Sequence, residues 1–323
     1  MTLPSGFTTP ARSGIPPLEV RLLRNGILES IHRVHAVVCD RRGRVLMRAG
    51  DAQQLSFVRS ALKPFQATTF ISSGAAERGH AGERGLAIAC ASHCGSAAHA
   101  REAFRLLWAA DLEAHLLQCP QPAAADSPLQ HNCSGKHAAF LATCRALHWP
   151  LDSYLQPDHP LQEQVLRRVS ELLALPAAEL VTARDDCGAP TLQLQLAQMA
   201  LLYAHLGAGE QADLEQLTRA MLAHPELVAG EGLFDTELMR LSHGQVLSKG
   251  GAEGIQCLSR RGEGLGIAIK VEDGAARAKH AVALHLLNQL EWLTPMTSEE
   301  LQARFMAPAD HLRLDVLGEL RFD

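Results

Sequence analysis

Apolar residues alternate with polar ones at both ends of the chain and recur at helical spacing through its middle. Residues 19–23 and 27–31 flank Arg24-Asn25-Gly26, and 34–39 with 44–47 flank Asp40-Arg41-Arg42-Gly43, so each pair predicts a β-hairpin. From about 57 to 72 the pattern turns helical. The long middle, about 76–242, carries mostly 3.6-residue periodicity, clearest at 98–108, 135–147, 161–175 and 210–222. Strand character returns at 245–248, 254–258 and 265–271, with 259–264 as a turn, and 275–292 closes as a helix. No charged residue occurs between Cys187 and Gly209, but Gln193, Gln195, Gln198 and His205 interrupt that run and Pro190 opens it. It predicts a core helix and no membrane span.

Strands at both ends most economically share one antiparallel sheet covered by helices, with the mainly helical stretch as a separate lobe, an α+β fold. The protein then divides into a sheet part from 18–75 and 243–323 and a helical part at 76–242, intertwined as one unit. Residues 1–17 are rich in Pro, Ser, Thr and Gly and lack an apolar run, so they predict a loose arm and no secretion signal, and the protein is expected in the cytoplasm.

With 323 residues, 47% of them hydrophobic, a substantial core can be buried. The formal net charge is -5, and the lysines and arginines form no basic run interleaved with aromatics, which removes nucleic acid as a partner and favours a small-molecule substrate. The eight cysteines would stay reduced in the cytoplasm. Cys39, Cys119, Cys144 and Cys257 lie in apolar settings where cysteine acts as a small hydrophobe. Cys133 and Cys187 instead sit in polar, glycine-containing clusters, 131–137 and 185–190.

Two serine-lysine elements carry the candidate chemistry: Ser60-Ala61-Leu62-Lys63, and Ser248-Lys249-Gly250-Gly251 far downstream. Positions i and i+3 share one face of a helical turn, which places the Ser60 hydroxyl and the Lys63 amine within reach of each other. A lysine becomes a base once burial or a second ammonium disfavours its charge. The pair therefore points to serine acyl transfer. The late Lys-Gly-Gly is an analogue of the Lys-Thr-Gly that accompanies Ser-x-x-Lys in penicillin-binding enzymes and serine β-lactamases, and the predicted sheet-plus-lobe layout is that of the same architecture.

Further blocks extend the match. Residues 28–33, 59–67 (Arg-Ser-Ala-Leu-Lys-Pro-Phe-Gln-Ala), 90–93 (Cys-Ala-Ser-His), 131–137 (His-Asn-Cys-Ser-Gly-Lys-His), 185–190, 229–232 and 249–254 (Lys-Gly-Gly-Ala-Glu-Gly) closely resemble, in the same order, the rhizobial-type L-asparaginase II family, over about residues 18–295. The resemblance implies a fold like that of serine β-lactamases and glutaminases, a homodimer, and hydrolysis of L-asparagine to L-aspartate and ammonia. It also implies two catalytic pairs, Ser60 with Lys63 and Ser92 with Lys249. Ser60 is taken as the nucleophile, Lys63 as its base, and Ser92 with Lys249 as a proton relay, while both serines have the right type for attack. Arg59, His93 and Asp185 are candidates for substrate binding.

The family likewise implies zinc, held by Cys133, Lys136 and Cys187. Spacing alone selects Cys133, His137 and Cys187 instead, because imidazole is a common zinc ligand and lysine must first lose its proton. Both readings stand, since i+3 and i+4 can face one metal. Asp186 occupies a position where the family often has glycine. Two rival functions remain open on these residues: a related glutaminase or β-lactam-reactive hydrolase, and a non-catalytic zinc-binding protein.

Overall fold

The computed structural model describes residues 14–323, so most of the expected N-terminal arm lies outside the described residues. Eight strands form the main sheet: β1 (Leu18–Arg24), β2 (Ile27–Asp40), β3 (Val45–Ala49), β7 (Val246–Gly250), β8 (Ile255–Arg260), β9 (Leu265–Val271), β10 (Leu312–Leu317) and β11 (Arg321–Phe322). Their order is β10-β1-β2-β9-β8-β7, with β3 on β2 and β11 on β3, and every pairing is antiparallel. Both termini of the fold therefore contribute to one sheet, as the alternation predicts. A second sheet joins β4 (Leu55–Phe57), β6 (Pro190–Gln195) and β5 (Val181–Arg184).

The period-2 rule sorts the main sheet's residues onto two cores. Val34, Ala36 and Val38 of β2 and Ile267, Ile269 and Val271 of β9 face one core, shared with helices Ala276–Gln289 and Pro295–Phe305. Val37, Cys39 and Ala268 face the other, with the helical lobe. Helix Leu196–Ala208 lies flat on β9 at Gly266, where a Cβ would stand 2.0 Å from the Ala200 carbonyl oxygen. Leu247 of β7 belongs to the lobe-side core, and Lys249, two positions on, shares its face. That parity aims the Lys249 amine at the lobe.

Several elements depart from what the hydrophobic pattern predicts. Residues 27–40 are one 14-residue strand, because the first half of β2 runs out as an exposed hairpin with β1 and the second half is buried on both faces. The uncharged run 187–209 is not one helix. Leu192 and Leu194 are buried and alternate with the half-buried Gln193 and Gln195, which makes β6, and only then does helix Leu196–Ala208 begin. The closing helix ends at Gln289, and a further helix and two strands follow it. Among the described residues no helix is long and apolar enough to cross a membrane.

Candidate active site

Four elements converge at the lobe side of the β7 edge. The first is the turn after β4. Val58 N–H donates to the Leu192 carbonyl (2.9 Å) and Arg59 N–H to Thr191 Oγ1 (3.2 Å), which ties the turn to β6. Arg59 sits in the left-handed region at φ 51°, an uncommon conformation for a non-glycine residue and a mark of strain where chemistry is done. A 3₁₀ turn, Arg59–Leu62, then leads into helix Lys63–Ser72 with Pro64 in its first turn. Ser60 is half-buried at the head of this run, and Lys63 is fully buried. Gly251 lets β7 come close, since a Cβ there would meet the Val58 carbonyl oxygen at 3.0 Å.

The second element is the extended segment after helix Gly82–Ala89. Ser92 and Cys94 N–H groups donate to the Val228 and Ala229 carbonyls, both at 2.8 Å, so the Ser92 hydroxyl is presented from a pinned backbone. His93 accepts from Gly95 N–H at Nδ1 (3.1 Å), which leaves Nε2 to donate to Ser134 Oγ (3.0 Å). Burial first, then the stacked His99 ring and the Lys63 charge, hold His93 well below the usual imidazole range, so it is neutral. Both its nitrogens serve the loop, and none is free for a substrate.

The centre of the site is Ser92 Oγ. Lys63 Nζ lies 2.8 Å from it and Lys249 Nζ also 2.8 Å. Lys63 reaches three acceptors, the Ala91 carbonyl (2.7 Å), Ser92 Oγ and the Asn132 carbonyl (3.3 Å). Lys249 reaches two, Ser92 Oγ and the Gly250 carbonyl (2.8 Å). Burial, with Lys63 and Lys279 adding to it against the opposing charge of Asp235, lowers Lys249 to about 7. Lys249 is thus poised between amine and ammonium near neutral pH. The expected contact between Ser60 Oγ and Lys63 Nζ is not made here, because the Lys63 amine is drawn to Ser92.

Asp235 belongs to this site and carries no motif that would announce it. Helix Phe234–Leu241 lays it along the free edge of β7, where its carboxylate accepts from Ser248 Oγ (2.7 Å), Gly250 N–H (2.8 Å) and Gln256 Nε2 (2.8 Å).

On the far side of Asn132, Cys133 opens helix Ser134–Leu147. Gly135 is required there, since a Cβ would fall 2.1 Å from the Ile88 carbonyl oxygen. Cys133 and Cys187 are buried neighbouring thiols, and Lys136 Nζ lies 3.1 Å from Cys187 Sγ. The Cys187 hydrogen bond, helped by Lys63 and Lys136, overcomes burial and holds Cys133 well below the usual thiol range. Burial opposes the charge on Lys136, but Cys187 and Cys133 outweigh it. His137 also borders Cys187. Its Nδ1 is taken by Tyr154 Oη (2.7 Å), while Nε2 is buried with no partner. Among the described residues no three His, Cys, Asp or Glu groups converge to hold a metal ion, and the Lys136 amine is in contact with the Cys187 thiol. All eight cysteines are free. Above the pair, Arg59 Nε donates to Asp185 Oδ1 (2.7 Å) and its Nη2 to Asp186.

A comparison with curated proteins returns no match. Solved structures resemble the fold at low identity: Mglu in its native form (12% identity, TM-score 0.47, 80% of this chain and 65% of that one) and a β-lactamase from Mycobacterium bovis (12%, 0.34, 84% and 94%). A D-alanine carboxypeptidase from Burkholderia cenocepacia is similar at 12% identity with TM-score 0.32 over 91% and 94% of the two proteins. The matched region spans between 60% and 67% of the length of the Mglu proteins. Such scores say nothing of activity. Residues 20–322, by contrast, match one family across nearly the whole length, and that match places this protein in the L-asparaginase II family.

Proposed function

We propose that the protein is an L-asparaginase that works through a serine-lysine acyl-enzyme. The observation that carries this reading is the Ser92 hydroxyl held at 2.8 Å by two buried lysines, in a member of this family. Ser60 is the attacking group. Its hydroxyl stands at a strained turn at the head of a helix, free of the double lysine grip that occupies Ser92, and its backbone N–H at that helix start suits an oxyanion. The bond from Ser60 Oγ to the amide carbon forms as the carbon–nitrogen bond of the asparagine amide breaks. The Ser60 proton passes through Lys63, Ser92 and Lys249 to the departing nitrogen, which leaves as ammonia. Water then attacks the ester, gives its proton to the same relay, and Ser60 is reprotonated as aspartate departs. The absent contact between Ser60 and Lys63 fits a substrate-free enzyme, in which such hydrogen bonds tighten only once substrate is bound.

Arg59 and Asp185 form the charged rim that would meet the substrate's carboxylate and ammonium. The family's zinc fits the thiol pair: two soft donors, one already favoured as thiolate, meet an enclosed lysine whose proton the metal would displace, and His137 Nε2 lacks a partner beside them. Cys133, Lys136 and Cys187 would hold it. When bound, zinc would supply a fixed positive charge there.

Side-by-side assays decide the function: ammonia release from asparagine and from glutamine, and opening of a chromogenic β-lactam, in wild type, Ser60→Ala and Ser92→Ala. Asparagine turnover lost entirely in Ser60→Ala and cut about 10²- to 10⁴-fold in Ser92→Ala is the expected result. Turnover retained in Ser60→Ala and lost in Ser92→Ala reverses the two serines. Zinc binding with no turnover of any of the three substrates sinks the enzyme reading.

A further inference from the structure

The relay lysine is set by a residue outside both serine-lysine pairs. Asp235 accepts from the residue before Lys249, Ser248 Oγ at 2.7 Å, and from the backbone after it, Gly250 N–H at 2.8 Å. Gln256 on the neighbouring strand β8 adds a third donor at 2.8 Å. The carboxylate thus brackets Lys249 on the one edge of β7 that has no partner strand. Gly250 permits the approach, since a Cβ there would stand 3.3 Å from Asp235 Oδ2 and 3.1 Å from Lys279 Nζ. Lys279 lies on the same patch and donates to the Gly251 (2.9 Å) and Ile255 (3.2 Å) carbonyls. The carboxylate therefore lies on the face of β7 opposite the Lys249 side chain, beside Lys279, and its charge reaches both lysines without an ion pair to either.

We propose that Asp235 is the positioning residue of the relay, fastening the strand on both sides of Lys249 from the opposite face of the sheet and adding a single negative charge whose field reaches the Lys249 and Lys279 amines. It does not touch the reacting atoms and acts only through Lys249. Burial opposes its charge, but Lys249 and Lys279, then the Gly250 and Ser248 donors, hold its carboxyl below the usual range, so the anion persists. Other groups face the pair as well. Lys63, Cys133, Cys90 and Cys257 surround Lys249, and His280, Tyr203 and Cys257 lie near Asp235. Among these, Asp235 is the strongest influence that favours the ammonium form of Lys249. Its removal should shift Lys249 toward the free amine while loosening its place.

This inference rests on the serine-lysine reading but not on asparagine as substrate, so its test uses a probe of serine reactivity. A fluorophosphonate phosphonylates an activated serine, forming an O–P bond as fluoride leaves and the hydroxyl proton enters the relay. Labelling rate is followed from pH about 5 to 9 in the zinc-loaded protein, with kcat and KM for asparagine measured alongside. Asp235→Asn should lower the plateau rate about tenfold or more, a kcat effect with KM little changed. It should also move the midpoint of the rise to lower pH by about half a unit or more, because a charge favouring the ammonium is gone. Ser248→Ala keeps the charge and loses two hydrogen bonds, the one to Asp235 and the one from Gln256 Nε2, so it should lower the plateau about two- to fivefold without moving the midpoint. A folded Asp235→Asn with wild-type plateau and midpoint overturns the proposal, and a lowered plateau with an unmoved midpoint reduces Asp235 to a packing role. If Asp235→Asn does not fold, an unchanged plateau in Ser248→Ala overturns it. A wild-type protein that labels but leaves asparagine intact refutes the asparaginase reading and leaves this one standing, whereas one that does not label refutes both.

Discussion

In the proposed mechanism Lys249 sets the pH at which the site works. Its amine is fully enclosed and lowered to about 7, against a free lysine near ~10.4. The relay needs the neutral amine to take the proton that Ser92 passes on. Activity should therefore rise with pH and reach half its plateau near 7. Two units lower, at pH about 5, only ~1% of Lys249 is neutral, so kcat/KM should fall about a hundredfold from plateau. Stability gives the same group an independent readout. Between about 7 and ~10.4 the unfolded state holds a proton on this lysine that the folded state does not, so stability should rise with pH across that window. Lys249→Met removes that part of the slope. Ammonia release from pH 5 to 9 measures the first effect, with circular dichroism and zinc content at each pH to separate it from unfolding or metal loss. Urea denaturation at pH 7 and 9, in wild type and Lys249→Met, measures the second. A folded, metal-replete enzyme with a flat profile from pH 5 to 8 would refute the reasoning, as would substantial activity in Lys249→Arg, whose guanidinium cannot become a base.

Two further outcomes follow from geometry. Gly135→Ala gains about 1 kcal/mol of helix propensity, but its Cβ would meet the Ile88 carbonyl oxygen at 2.1 Å and Ile88 Cγ1 at 2.7 Å, a backbone collision that a rotamer change cannot relieve. Overpacking costs about 1–3 kcal/mol, so the net should be destabilising in urea unfolding, with zinc affinity reduced because helix Ser134–Leu147 carries Lys136; a stabilised variant would show that the two helices can part freely. For the metal, zinc per protein molecule should fall in Cys187→Ser and Lys136→Ala and stay near wild type in Cys119→Ser and His137→Ala. Loss in His137→Ala alone makes imidazole the ligand, and full occupancy in Cys187→Ser, Lys136→Ala and His137→Ala together removes the site.

Much of the sheet was legible because burial imposes a period. β9 carries Ile267, Ile269 and Val271 on one face and Ala268 on the other, and its bounds match the alternation residue for residue. The same rule applies to Leu192 and Leu194 of β6, but four short-range residues inside an uncharged run cannot outweigh a longer helical signal when neither partner strand is known. β10 alternates too, at Leu312, Leu314 and Val316, yet its partner β1 lies at the opposite end of the sequence, and alternation names no partner.

The site divides in the same way. Ser60, Lys63, Cys133, Cys187 and Lys249 stand in short clusters whose residue types suggest chemistry by themselves, whereas Ser92 and Lys136 enter only through the family resemblance. Which of them meet does not follow from type. The i to i+3 rule brings Ser60 and Lys63 to one face, but the lysine is long enough to choose among acceptors, and the Ala91 carbonyl, Ser92 Oγ and Asn132 carbonyl together offer it three hydrogen bonds in a buried space. Satisfying the hydrogen bonds of a buried polar group outweighs proximity in sequence. Lys136 and His137 pose the opposite problem: both sit in the first turn of one helix beside Cys187, so spacing admits either. Asp235 carries no signal at all, being one acidic residue in an amphipathic helix whose neighbours Phe234 and Leu238 are core. Its role exists only because that helix packs along the bare edge of β7, and an interaction created by packing between distant segments leaves no local trace in either of them.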